Sequence, residues 1–222
     1  MSYKDELVTG AIYHVCSKSI AHYQIFNNKD EYLRMYQLIR YYQMYPLPEK
    51  FSRFIETDAV NNFGFSPVFN CISKGKEKLV QIIAYCFMPT HIHLILKQLK
   101  DKGVLDYMRK ILDGYTRYFN TKHKRKSPLW ESRFQRVLVE NDEYLLHLTR
   151  YIHLNLVTAY LIGSPQDWLF SSYNEYIEVS EEKICEYSDI LDIQTNSYKI
   201  FVNDQISYQR ELAKLKHLLL ED

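Results

Sequence analysis

None of the four cysteines, Cys16, Cys71, Cys86 and Cys185, forms a CxxC pair with another, so neither a disulfide framework nor a zinc ribbon is indicated. No apolar run reaches the roughly 20 residues of a membrane-spanning helix. The opening stretch MSYKDELVTG lacks the apolar centre of a signal peptide. These absences lead to the expectation of a cytoplasmic protein without membrane contact. No low-complexity tract interrupts the chain. Net charge is also small, at +1, but it is unevenly spread. Between Lys97 and Arg136 the basic residues far outnumber Asp101, Asp106, Asp113 and Glu131, whereas the C-terminal tail is acidic. A basic middle suits a polyanionic partner on one face, and it equally suits a solvated helix face.

What is present is ordinary for a folded domain: 222 residues, 46% hydrophobic and 25% charged, enough for one sizeable core plus an appendage. The 20 tyrosines serve packing and would also suit a surface on which bases stack.

The order of elements follows from periodicity. Ala11 to Ser17 alternates as a first strand. Asn28, with Glu31 three residues on, opens a helix carrying Tyr32, Met35, Tyr36 and Ile39 to about Tyr45, where Pro46 and Pro48 end it. Residues 51–78 are weakly patterned and turn-rich and read as an insertion. Leu79 to Phe87 is a buried strand, and Met88-Pro89-Thr90 turns it into the next. Leu105, Met108, Ile111, Leu112, Tyr115 and Phe119 make a helical stripe ending in the basic loop Thr121 to Ser127; Trp130 to Val139 is a last strand. This is the order of an α+β, ferredoxin-like βαββαβ core, an antiparallel sheet with helices on one face. The predicted boundaries are 1–177 for the main domain and 178–222 for a helical extension. In the extension, Ser180 to Ile193 and Asn203 to Leu220 read as helices, the second with Tyr208, Leu212, Leu215 and Leu219 in a stripe.

Two stretches carry chemistry. In AYCFMPTHIHLILK, residues 84–97, the two-residue period of a strand puts His91 and His93 on one face and Ile92, Leu94 and Leu96 on the other. Paired imidazoles can hold one divalent ion if a third ligand arrives from elsewhere; alone they are more often structural histidines. The second stretch is the helix opened by Asn141, with Asp142 and Glu143 in its first turn. Leu145, Leu148, Ile152, Leu156 and Ala159 form its apolar stripe, and Tyr151 and Asn155, four apart, share one flank of it. An amide oxygen from Asn155 with two imidazoles suits Mn²⁺ or Mg²⁺, although imidazole also accepts Zn²⁺, Ni²⁺ or Co²⁺. Read from the residues alone, Tyr151 and Asn155 are as readily ordinary helix positions.

The blocks MPTHIHL, LWESRF and RYIHLN, with Asp167-Trp168 and Ser171-Ser172-Tyr173 after them, resemble the single-tyrosine HUH transposases of the IS200-like superfamily, in particular the REP-associated tyrosine transposases. The similarity runs from about Gly10 to Tyr176. It implies a transposase or single-strand endonuclease that cleaves and rejoins hairpin DNA through a 5′-phosphotyrosine. Carried over by position, it makes His91 and His93 the metal-binding pair, Asn155 the polar residue completing the site, Tyr151 the nucleophile and Mg²⁺ or Mn²⁺ the cofactor. Tyr115 and Tyr118 compete as nucleophiles, but neither has a matching polar residue four positions on. Many relatives read Asn-Pro where this chain has Asn155-Leu156, which leaves the end of that helix open. Lys122, Lys124, Arg125, Lys126, Arg133 and Arg136 are the expected phosphate contacts, with Trp130 stacking a base, and single-stranded DNA with hairpin ends is the expected partner of a monomer or homodimer. A replication initiator or relaxase of the same chemistry, or an inactive nucleic-acid-binding module on the same fold, are the alternatives.

Overall fold

In the computed structural model, which describes residues 6–219, with side chains as far as residue 213, strand β1 (Ile12–Lys18) leads through α1 (Lys29–Tyr41) to the antiparallel pair β4 (Val80–Met88) and β5 (His91–Gln98). Helix α5 (Gly103–Lys122), strand β6 (Gln135–Val139) and helix α6 (Asp142–Thr158) follow. The sheet order is β4-β5-β1-β6 with every neighbouring pair antiparallel, the ferredoxin-like arrangement expected from the order of elements.

Its register is set by which side chains must be buried. Ile92, Leu94 and Leu96 are fully buried with Tyr13 and Val15 of β1 against α1 and α5. Each such aliphatic side chain contributes about 2 kcal/mol by leaving water. A slip of one residue would turn His91 and His93 into that core. The two helices of the βαββαβ unit pack on this one face, as expected, but the other face is not left to solvent. Ile83, Cys86, Met88, Ile95 and Val139 are covered there by Leu145, Leu148, Ile152 and Leu156 of α6, so all nine residues of β4 are buried. The edge of β4 is covered too: the N–H of Phe87 donates to the Phe170 carbonyl and that of Ser172 to the Tyr85 carbonyl, which pairs an otherwise open strand.

Several boundaries differ from the periodicity. Helix α1 stops at Tyr41, and Met44–Tyr45 (β2) pairs with Glu77–Lys78 (β3). Between them the weakly patterned segment forms α2 (Phe51–Phe54), α3 (Asp58–Phe63) and α4 (Phe65–Ser73), whose Phe51, Phe54, Val60, Phe65 and Phe69 join the main core. Strand β6 is half the expected length: Trp130 makes only a single bridge to Ser19, and pairing starts at Gln135. Ala159 lies beyond the end of α6 and is exposed. The segment 180–193 is not helical. Its backbone is drawn instead onto the body, with the N–H groups of Ile184 and Cys185 donating to the Glu175 carboxylate and that of Glu186 to the Ile82 carbonyl. After a four-residue α7 (Tyr173–Tyr176) comes an unexpected helix, α8 (Thr195–Asn203), and then α9 (Ile206–Leu219), which occupies the span of the predicted last helix. In the expected stripe Tyr208 is exposed, while the side chains of Leu215 and Leu219, and Leu220, lie outside the described residues.

The extension makes α6 a buried helix through a directional chain of hydrogen bonds. The Tyr198 hydroxyl donates to Thr149 Oγ1 at 2.9 Å, and His153 Nδ1 lies 2.7 Å from that hydroxyl oxygen. His153 Nε2 lies 2.7 Å from Ser172 Oγ, which accepts the Tyr85 N–H at 2.9 Å. Every donor has an acceptor if His153 is neutral and carries its proton on Nδ1. Burial holds its pKa at about 3. The unfolded chain therefore takes up a proton below pH 6.5 that the folded one refuses until about pH 3. Stability due to this group is complete above pH 6.5 and falls by about 1.4 kcal/mol per pH unit as acid is added. Denaturant unfolding of a His153→Gln variant between pH 6.5 and 4 should show a slope shallower by about one proton.

Candidate active site

The sheet face under α6 carries His14 from β1 and His91 and His93 from β5, because alternation along each strand and the pairing of Cys16 with His93 put these residues on one side. The His91 and His93 ring centroids are 5.0 Å apart. Tyr151 comes down from α6 so that its ring meets His93 edge-on at 6.2 Å. The tyrosine is 47% exposed, which leaves it open to a ligand arriving from solvent, and no hydrogen bond ties its hydroxyl among the described residues. Asn155 stands one turn farther along the same flank and is buried.

Each imidazole is oriented through one nitrogen and has the other to spare. His91 Nδ1 lies 2.9 Å from Thr90 Oγ1 and His93 Nδ1 lies 3.0 Å from His14 Nε2. With Nδ1–H donated in each case, both Nε2 lone pairs are available, the arrangement by which outer partners fix metal-binding histidines. Burial, then the charges of Lys18 and His22, lowers the His91 pKa to about 4. Burial, then His14, His91 and Lys18, holds His93 well below the usual range. Both are thus neutral at pH 7, the form that binds metal. Among the described residues no three His, Cys, Asp or Glu side chains converge, so an ion on this pair would take its further protein ligand from an amide or phenol. Asn155 has that capacity: the nitrogen end of its amide is buried without a partner, and the amide turned over presents an oxygen there instead. The residues present fit a divalent ion.

The Tyr151 phenol is raised above its ordinary pKa by burial, then by Cys16, so it is protonated at neutral pH and needs help to act as a nucleophile. The competing tyrosines are elsewhere. Tyr115 is fully buried on the opposite face and donates to the Ile25 carbonyl; Tyr118, also on α5, lies under the Arg34 guanidinium at 4.6 Å.

The basic middle flanks the histidine end of the sheet: the Glu131 N–H donates to the Lys18 carbonyl, and the Ser17 hydroxyl to that of Arg133. Lys124, Lys126 and Arg133 are exposed there. Four other expected contacts have different employment. Lys122 is bound to Glu31, whose buried carboxyl burial alone would raise, yet Asn27, His123 and Lys122 together hold it at about 2. Trp130 donates its indole N–H to the Leu112 carbonyl and Thr116 hydroxyl and packs with Tyr115, leaving it a structural ring. Arg136 is paired in register with Val15 and so faces away from the histidines. Arg125 is stacked over Tyr23 and Phe119. Sequence reasoning missed Lys18, which pairs with His91 and shares its face, and His14. The alternation Ile12, His14, Cys16 was visible, but the strand it would lie beside was not.

Residues 66–155 match the family model described as "Transposase IS200 like", a span containing His91, His93, Tyr151 and Asn155. Over that span of 90 of the 222 residues the chain is similar to the IS200-like transposases. The chain is also 25% identical over 132 residues to a Haemophilus influenzae protein described as a REP-associated tyrosine transposase, covering 55% of this chain and 73% of that one. A solved structure of a REP-associated tyrosine transposase bound to a REP hairpin superposes with a TM-score of 0.53 at 16% identity, over 88% of this chain and 96% of that one. The likeness establishes the shared fold.

Proposed function

We propose that this chain is a single-tyrosine HUH nuclease and strand transferase acting on single-stranded DNA with hairpin ends. The observation that carries the reading is the meeting, within one chain, of a solvent-reachable phenol with two neutral, oriented imidazoles. The Tyr151 oxygen attacks the scissile phosphorus; a new O–P bond forms, the bond to the 3′ oxygen breaks, and the proton lost by the phenol is matched by one gained at the freed 3′ hydroxyl. One phosphodiester replaces another, so a second strand end can be joined by the reverse step without ATP. His91, His93 and Asn155 would hold a divalent ion, Mg²⁺ or Mn²⁺, which when bound supplies a positive charge that polarises the phosphate and favours the phenolate. Lys18, Lys124, Lys126 and Arg133, at the same end of the sheet, bind phosphates and orient the strand.

Incubating the protein with a single-stranded hairpin oligonucleotide and Mn²⁺ should give a denaturation-resistant protein–DNA adduct, and retained hairpin binding with no adduct would favour an inactive binding module. The basic loop has its own signature. Replacing Lys124 and Lys126 together by Ala should lower the slope of log K against log salt by between about 1.4 and 1.8, measured by fluorescence anisotropy, and should weaken different hairpins to a similar extent.

A further inference from the structure

The helix that carries Tyr151 and Asn155 is gripped along its other side by the C-terminal extension. Over its first half, His147 meets the Phe201 ring at 5.5 Å and Arg150 stacks on the same ring at 4.1 Å. At its middle, the Tyr198 hydroxyl bridges Thr149 and His153, with all three side chains buried. At its end, Arg210 of α9 donates to the carbonyls of Val157 and Ile162 at 3.1 and 3.2 Å, placing a cation at the negative end of the helix dipole. Tyr198, Phe201 and Arg210 bond neither His91 and His93 nor Tyr151 and Asn155, yet they hold the helix on which that flank depends. The core that the sheet shares with α6 is apolar, and apolar packing fixes the helix's distance from β4 and β5 better than its rotation or its position along its own axis; directional bonds fix those.

Resting on the proposed function, we propose that the extension is a clamp, with Tyr198 as a positioning residue that holds α6 docked so that Tyr151 stays over His93. A positioning error of about 1 Å at a reacting oxygen is enough to slow chemistry a hundredfold, so the clamp acts on the rate of cleavage and leaves hairpin affinity to the basic loop.

The test is Tyr198→Phe, which keeps the ring and removes the bridge, with Arg210→Gln as a second variant at a half-exposed position. Hydrogen exchange is followed on the full chain, together with the hairpin Kd and the single-turnover rate of adduct formation with Mn²⁺. The expected result is exchange about tenfold faster in residues 149–157, unchanged exchange in β4 and β5, an unchanged Kd and an adduct rate at least about tenfold lower. Exchange in α6 as slow as in the wild type, acceleration spread uniformly over the sheet, or looser α6 with an unaltered adduct rate would each overturn the clamp. If the wild-type chain forms no adduct at all, the nuclease reading fails on its own, and the exchange measurement alone decides whether the extension holds α6.

Discussion

Tyr151→Phe will bind hairpin DNA as the wild type does and form no covalent adduct, a loss of more than about a thousandfold in single-turnover cleavage. The expectation is clean because the hydroxyl makes no hydrogen bond among the described residues, while the ring, which meets His93 edge-on, is kept. Removing an exposed, unbonded hydroxyl should change stability by less than about 0.5 kcal/mol, so thermal unfolding of the variant serves as the control. Tyr115→Phe would do the reverse. It removes the buried hydroxyl that donates to the Ile25 carbonyl and should destabilise the fold by about 1 kcal/mol while leaving adduct formation per folded molecule unchanged.

The second large effect belongs to the imidazoles. His91→Ala should lower cleavage by at least about a hundredfold while changing hairpin affinity only a few fold, since on the proposed reading the affinity comes mostly from phosphate contacts of the basic loop. His91 is the better site for this test than His93. The His93 ring is buried against His14, and its removal would also leave the His14 nitrogen without a partner, at a cost of about 1 to 3 kcal/mol. Calorimetric titration with Mn²⁺ in the absence of DNA gives an independent reading: the wild type should bind and His91→Ala should not. Unchanged cleavage in His91→Ala would remove the metal pair from the account.

The parts of this molecule that were legible in the sequence are those with one dominant period. Alternation placed His91 and His93 on one face of β5, and the helical stripe of α6 placed Tyr151 and Asn155 on a flank; the structure keeps both placements. The sheet order followed from the order of strands and helices. What was illegible depends on partners distant in sequence. The fate of Lys122 could not be read without knowing that Glu31 sits buried against it, nor that of Trp130 without Leu112 and Thr116 beneath it. Residues 180–193 are apolar and acidic enough to suggest a helix, but the Glu175 carboxylate and the Ile82 carbonyl take their backbone donors, and local propensity loses to those bonds. Residues 51–78 failed differently: three helices of four to nine residues are too short for a periodic pattern to accumulate.

The neutral histidines at and near the site bear on how the chemistry is arranged. His153 is two residues from Tyr151, yet its ring is buried in the bond chain to Tyr198 and Ser172, so it stabilises the helix and takes no part at the phosphate. His14 lies behind His93 and sets which nitrogen of that ring faces outward. The proposed chemistry therefore rests on few groups: one phenol, two imidazoles, one amide and a flank of cations.

The most direct measurement is to digest the adduct formed with a hairpin oligonucleotide and Mn²⁺ and to locate the attached nucleotide by mass spectrometry. The account predicts a single modified peptide, with the 5′ phosphate on Tyr151. A nucleotide on Tyr115, Tyr118 or any other residue, or no adduct from protein that binds the hairpin, would contradict it.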